Sequence, residues 1–158
     1  MITVRSNQNM SQYPVNFIKR AKQPSQFLTS LNEKVSSSKS STQRAFGRKR
    51  EVELISQTLL RRKKANPILI GEPGTGKTAI IEEIAHLIVD GKIHEDLQGI
   101  EILELDVNAL LAGTATRGAF EERIVELLKE LDDLKDNAIL FIDEIHQIMN
   151  TDGTDKSN

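Results

Sequence analysis

The stretch PILIGEPGTGKTAIIEEIA, residues 67–85, runs from a short apolar segment through a glycine-rich turn into an amphipathic pattern, with Lys77 and Thr78 where the turn gives way to helix. The first amides of a helix lack intrahelical acceptors and sit at the positive end of its macrodipole. A bare helix start after glycines is therefore an anion site. Residues 71–78, GEPGTGKT, fit the phosphate-binding loop pattern at every required position, in the strand-turn-helix context that gives the pattern its meaning. Gly71, Gly74 and Gly76 let the backbone wrap an anion without Cβ clashes, while Glu72, Pro73, Thr75 and Ala79 complete the loop and its exit. The phosphate chain of a nucleotide is the anion expected there. Lys77 would neutralise its β and γ phosphates, and Thr78 would give its hydroxyl to Mg2+. A glycine turn with an incidental lysine is the plainer alternative, and the flanking segments argue against it.

A second element lies downstream, where residues 138–144, AILFIDE, read as a buried apolar strand delivering two acids at its carboxyl end. Open α/β sheets bind ligands at that end. Asp143 would hold the magnesium, through its water shell because Mg2+ gives up water reluctantly, and Glu144 would orient or deprotonate an attacking water. Acids after a strand also serve as helix starts, which is the structural alternative. His146 has no partner beside it in sequence and reads as a surface or interface residue. Asp106, closing an earlier strand, reads as a turn or cap residue.

The chain has 158 residues, 38% apolar and 28% charged, enough for one domain with one core. With no cysteine and three scattered histidines there is no basis for a disulfide framework or a metal cluster, and no apolar run nears the roughly 20 residues that span a bilayer. A reducing, cytosol-like (cytoplasmic) compartment is expected, without a membrane partner. The net charge of -2 conceals an asymmetry: residues 1–50 carry ten Lys or Arg against the single acid Glu33. Residues 1–45 are expected to be a disordered basic arm, with the serine-rich run at 35–43 as a linker. A solvated tail is the preferred reading of this arm. An organelle-targeting peptide and a contact for nucleic acid or acidic lipid are the alternatives. Tyr13, Phe17 and Phe27 are candidates to pin it to the body.

Order is expected over residues 46–150. Val52, Ile55, Leu59 and Leu60 fall at helical spacing, residues 68–70 form a short buried strand, and Ile80, Ile81, Ile84, Ala85, Ile88 and Val89 mark a helix that Asp90 and Gly91 end. Residues 100–107 form a second strand. Phe120, Ile124, Leu127, Leu128, Leu131 and Leu134 share one face of a long helix starting near Arg117 or Gly118. Residues 151–158 read as a frayed polar tail. Strands alternating with helices indicate an α/β sandwich with a largely parallel sheet.

Three runs, GRKREVELISQTLLRRKKANPILIGEPGTGKTAIIEEIA, LLAGTATRGAFEERIVELLKEL and AILFIDEIHQIM, occur in order and at natural spacing over about residues 46–150. Together they resemble the Clp-type AAA+ unfoldase and disaggregase chaperones, in the front part of their first ATPase module. The resemblance implies a P-loop NTPase three-layer fold, ATP and Mg2+ as cofactors, hydrolysis of ATP to ADP and phosphate, assembly into a hexameric ring, and polypeptide substrates drawn through a central pore. It places Gly47 and Arg48 in the segment that helps cradle the adenine, and Thr116, Arg117 and Gly118 in the pore loop.

Two departures qualify the resemblance. The family's pore loop usually reads aromatic-Arg-Gly, and Thr116 offers no ring to grip a translocating chain, which puts threading in doubt. The family's sheet also places a later strand between the one carrying the phosphate loop and the one carrying Asp143. That strand, the sensor residue, the arginine finger and the helical lid are not reached by Asn158, so the sheet is expected to be incomplete at its C-terminal end. Each buried backbone group left unpaired there would cost about 1 to 3 kcal/mol. An arginine finger commonly contributes about 10³ to 10⁵ in rate, so weak or no turnover by the chain alone is expected. A fragment that docks on a full-length Clp ring and modulates it is the rival reading, and a nucleic-acid-handling AAA+ ATPase is a third, which the RGAFEER helix argues against.

Overall fold

Two apolar clusters, one on each face of a central sheet, organise the chain. The structure is a computed structural model that describes residues 2–3, 26–37, 44–114, 116–134, 137–143, 145 and 148. In chain order the elements are β1 (Ile2–Thr3), β2 (Leu28–Ser30), α1 (Leu31–Ser37), α2 (Lys49–Leu59), α3 (Lys77–Val89), β3 (Glu101–Leu105), α4 (Val107–Leu111), α5 (Arg117–Asp133) and β4 (Ala138–Ile142), with a 3-10 turn at Glu95–Leu97. The strands lie in the order β1-β4-β3-β2.

Alternation along the strands sends side chains to both faces. Ile102 of β3 and Ile139 and Phe141 of β4 pack with α1, α2 and α3, through Leu31, Val35, Val52, Ile55, Leu59, Ile81 and Ile84 among others. Leu103, Leu105, Ala138, Leu140 and Ile142 pack the opposite way with Leu28, Leu110, Leu127 and Leu131, from β2, α4 and α5. All five residues of β4 are buried, as a continuous apolar run covered on both faces requires. The expected three-layer sandwich is therefore present. Its sheet is mixed among the described residues, where β3 and β4 run parallel while β2 and β1 pair antiparallel at the two edges.

Residues 28–37 correct the reading of the first 45 residues as an unstructured arm. Leu28, Leu31 and Val35 are buried, and Ser30 Oγ accepts a hydrogen bond from Glu33 N at 3.2 Å, capping α1. The Asn32 side-chain amide then extends the β2 pairing along β3, donating to Ile100 O at 2.9 Å and accepting from Ile102 N at 2.9 Å. Ion pairs fasten the same region to α3, Lys34 Nζ to Glu82 Oε1 at 3.0 Å and Arg44 Nε to Glu83 Oε2 at 3.2 Å. The second half of the serine-rich run, residues 38–43, lies outside the described residues, as do Tyr13, Phe17 and residues 151–158. Phe27 packs against the core.

Residues 68–70 are a second correction, for they carry no strand. A strand exists only where a ladder partner does. On the free side of β4 the positions opposite Leu140 and Ile139 are taken by Ile2 and Thr3. Leu69 still turns to the core, but Ile68 is 75% and Ile70 93% exposed. The helices match expectation more closely, with α3 ending at Asp90 and Gly91, whose φ of +66° suits glycine. On α5, Leu128 departs from the expected apolar face and is about half exposed.

Two outcomes follow for stability. Asn32→Ala removes both rungs to β3 and leaves Ile102 N and Ile100 O without them, so a loss of about 1 to 3 kcal/mol is expected in urea melts. Glu104 of β3 is half-buried, and burial, opposed by Lys34, raises its carboxyl above the usual range, with Asp143, Glu82 and Asp106 adding to the rise. Since the fold favours its protonated form, the cost of Glu104 is absent in acid, grows as pH climbs through the ordinary carboxylate range, and is complete above the raised value. Glu104→Gln should therefore melt higher than the wild type at pH 7, with the advantage vanishing below about pH 4.

Candidate functional site

Helix α3 begins at Lys77 with Gly76 at its N-cap position, φ +83°, and no side chain capping the helix start. Gly74 has φ +78°. Residues at these two positions must adopt the left-handed region, which explains glycine at both. Gly71 is constrained differently: a Cβ there would come within 3.0 Å of Thr75 Oγ1. That hydroxyl donates to Glu72 O at 2.8 Å, which closes the loop on itself. The result is a backbone cradle ending in unclaimed helix-start amides, the arrangement that suits a phosphate.

The lysine and hydroxyl groups of the motif all have protein partners. Lys77 Nζ donates to Gly71 O at 3.0 Å and Glu72 O at 2.9 Å, so its ammonium lies along the loop. Thr78 Oγ1 donates to Asp143 Oδ2 at 3.0 Å across 65 residues of sequence. The hydroxyl of the first motif and the carboxylate of the second are thus in direct contact. A hard-oxygen pair of this kind, beside a phosphate cradle, is the donor set that a hydrated magnesium ion takes. Glu144 and His146 lie outside the described residues.

Arg48, at the N-cap position of α2, bonds to Thr75 O at 3.0 Å through Nη2 and to Glu51 Oε1 at 3.0 Å through Nη1. Its own backbone hydrogen bond first, and Arg48 second, hold the Glu51 carboxyl below the usual range. Gly47, φ +74°, makes the turn that leads into α2. A hollow of about 360 Å³ opens at the carboxyl ends of β3 and β4, lined by Thr29, Glu104, Leu105, Asp106, Val107, Asn108 and Asp143. It meets the phosphate-loop region only at Asp143. Asp106 is a cap as expected, its Oδ1 accepting from Ala109 N at 2.9 Å.

The other segment singled out by the sequence lies elsewhere. Thr116 is the N-cap of α5, its Oγ1 accepting from Ala119 N at 3.3 Å, Arg117 is the first residue of that helix, and Gly118 is exposed in its first turn. Arg123, one of the RGAFEER residues, was not given a role by the sequence. Its Nη1 donates to Leu110 O at 2.9 Å and also to Ala112 O, and its guanidinium lies 5.7 Å from the centre of the Phe27 ring. It ties α5 to the end of α4 and so fixes the connection between them.

Residues 67–158 match the family described as "ATPase family associated with various cellular activities (AAA)". The chain is 41% identical over 134 residues to the chaperone protein ClpB of Mycoplasmoides gallisepticum, an alignment covering 85% of this chain and 18% of that protein. It is 45% identical over 132 residues to the ATP-dependent Clp protease ATP-binding subunit ClpE of Lactococcus lactis, covering 82% and 18%. Among solved structures, the S. cerevisiae Hsp104-ADP complex superposes with a TM-score of 0.73 at 42% identity, over 84% of this chain and 22% of that one. The chain thus spans less than a fifth of the length of these curated relatives. On a match that takes in more than half of its residues, phosphate loop included, the chain belongs to the AAA family of ATPases and, by its relatives, to the Clp type within it.

Proposed function

We propose that this module binds ATP together with Mg2+ and belongs to the nucleotide-driven part of a Clp-like protein-unfolding chaperone. The observation that carries the reading is the 3.0 Å contact between Thr78 Oγ1 and Asp143 Oδ2 beside a glycine cradle. Thr78 and Asp143 would hold a magnesium ion, which would supply charge neutralisation to the phosphates. The chain's own part is positional. The amides at the start of α3 face the phosphates, the Lys77 ammonium exchanges neutral loop carbonyls for charged phosphate oxygens, and Thr78 with Asp143 holds the ion's place. Glu144, one residue past Asp143, is assigned the orientation of the attacking water.

Turnover by the chain alone is expected to be weak, since the charge developing on the transferred phosphate needs a cation from outside the loop, and Arg48, the described cation nearest it, is taken up by Thr75 O and Glu51. Within a hexameric ring of Clp modules the neighbouring subunit is the natural source. The same assembly would put Thr116, Arg117 and Gly118 toward a polypeptide substrate, although the Thr116 hydroxyl spent on capping α5 leaves only a methyl group for grip.

Titration calorimetry tests the reading. ATP with Mg2+ should bind the wild type, and Lys77→Ala should weaken that binding about 100-fold by removing the charged donor. Asp143→Asn separates the ion from the phosphates: it should weaken ATP in magnesium but leave the affinity in EDTA unchanged. No uptake of ATP by folded wild type would refute the assignment. Phosphate release, measured in parallel, should stay near background for the chain alone, and robust release abolished by Glu144→Gln would overturn the expectation of weak turnover.

A further inference from the structure

We propose that Arg48 is a positioning residue for the phosphate loop, acting through the Thr75 carbonyl and not through the nucleobase. The inference rests on the nucleotide-site reading and gives Arg48 a different task from the one that family resemblance suggests. Its guanidinium is a two-ended clamp: Nη2 reaches Thr75 O at 3.0 Å, and Nη1 is held by Glu51 Oε1 at 3.0 Å. Both ends are engaged by protein, one by the first turn of α2 and the other by the loop 27 residues later.

Fixing that carbonyl has a geometric consequence. No peptide bond among the described residues is cis, and a trans peptide unit is planar with its C=O and N–H pointing in opposite directions. Arg48 therefore turns the Gly76 amide to the side of the loop away from itself. Thr75 is pinned on its other flank as well, its N donating to Glu72 O at 3.4 Å and its Oγ1 to the same carbonyl at 2.8 Å. Gly76, next in line, has φ +83° and no Cβ, so nothing intrinsic to it selects one orientation. One of the loop's permissive joints is thus oriented by a cation from outside the loop, at the N-cap of α2. An exposed ion pair alone contributes little, and Arg48 and Glu51 are 43% and 37% exposed. The planar fork matters because it bonds the carboxylate and the carbonyl at once, which a lysine ammonium on a flexible stem does less well.

Hydrogen exchange on the full chain without nucleotide reads this directly. In Arg48→Ala, the Thr75 amide, which donates to Glu72 O, should exchange about tenfold faster than in the wild type, with the amides of Lys49–Leu59 unchanged. Arg48→Lys should fall between the two, and Glu51→Gln should speed the loop less than Arg48→Ala. These milder variants decide the matter if Arg48→Ala does not fold. Unaltered loop exchange overturns the proposal, and so does acceleration shared by all of α2, which would mean a merely structural role. Calorimetry with ATP and inorganic tripolyphosphate supplies a second readout: an equal loss for both supports the clamp, and a loss confined to ATP assigns Arg48 to the base and overturns it. Should wild type bind neither ligand, the nucleotide-site reading fails while the exchange measurement still judges the clamp.

Discussion

The hydrogen bond from Thr78 to Asp143 joins the two halves of the site, and most of the fold serves to make it possible. Thr78 is in the first turn of α3, and Asp143 follows the last residue of β4. For the two to meet, α3 must lie on the sheet with its N-terminus at the carboxyl end of β4. Ile80, Ile81, Ile84 and Ile88 enforce this by burying one face of α3 against Ile102, Ile139 and Phe141. The contact is polar and only partly buried, so it contributes little to stability by itself. Its value is that an apolar layer, stable for other reasons, delivers a hydroxyl and a carboxylate to one place.

That layer is held from below by a segment whose composition gives little hint of order. α1 covers α3 and the start of β3, with Leu31 and Val35 in the same cluster as Ile81 and Ile84. Asn32 acts as a side-chain rung on β3, and Lys34 and Arg44 pair with Glu82 and Glu83 on the outer side of α3. The helix that presents Lys77 and Thr78 is thus clasped by the sheet on one side and by the N-terminal segment on the other. Thr29 of β2 even reaches the hollow that Asp143 lines.

The glycine turn and helix start at residues 71–78 were legible because the pattern names a residue type at each position for a separate steric or charge reason, and the place of Asp143 because the apolar run before it reads as a buried strand. β2 and α1 were obscured by serines and basic residues, yet two local signals were there: Ser30 and Glu33 at capping-box spacing, and Leu28, Leu31 and Val35 at intervals that bury. The β1 edge of the sheet was not legible, since Ile2 and Thr3 lack any pattern, and pairing across more than a hundred residues leaves no trace in local sequence. Arg123 was equally silent. An arginine in an amphipathic helix looks solvated until the carbonyls of Leu110 and Ala112 are seen in front of it.

Residues 68–70 show why an apolar run is not yet a strand. Leu69 turns in while Ile68 and Ile70 turn out, which is the alternation of extended chain, but the ladder beside β4 runs to β1. The entry to the phosphate loop consequently has no sheet to hold it, whereas its exit is fixed by the first turns of α3. Contacts made by the loop itself add rigidity there: the bonds of Thr75 and Lys77 to the carbonyls of Gly71 and Glu72, together with the bridge from Arg48. The Lys77 share of this network is provisional by chemistry, because an ammonium resting on neutral carbonyls gives them up to a phosphate. Arg48, already matched in charge by Glu51, has less to gain from such an exchange. On the proposed reading it is the contact placed to keep the loop's shape both before and after a phosphate arrives.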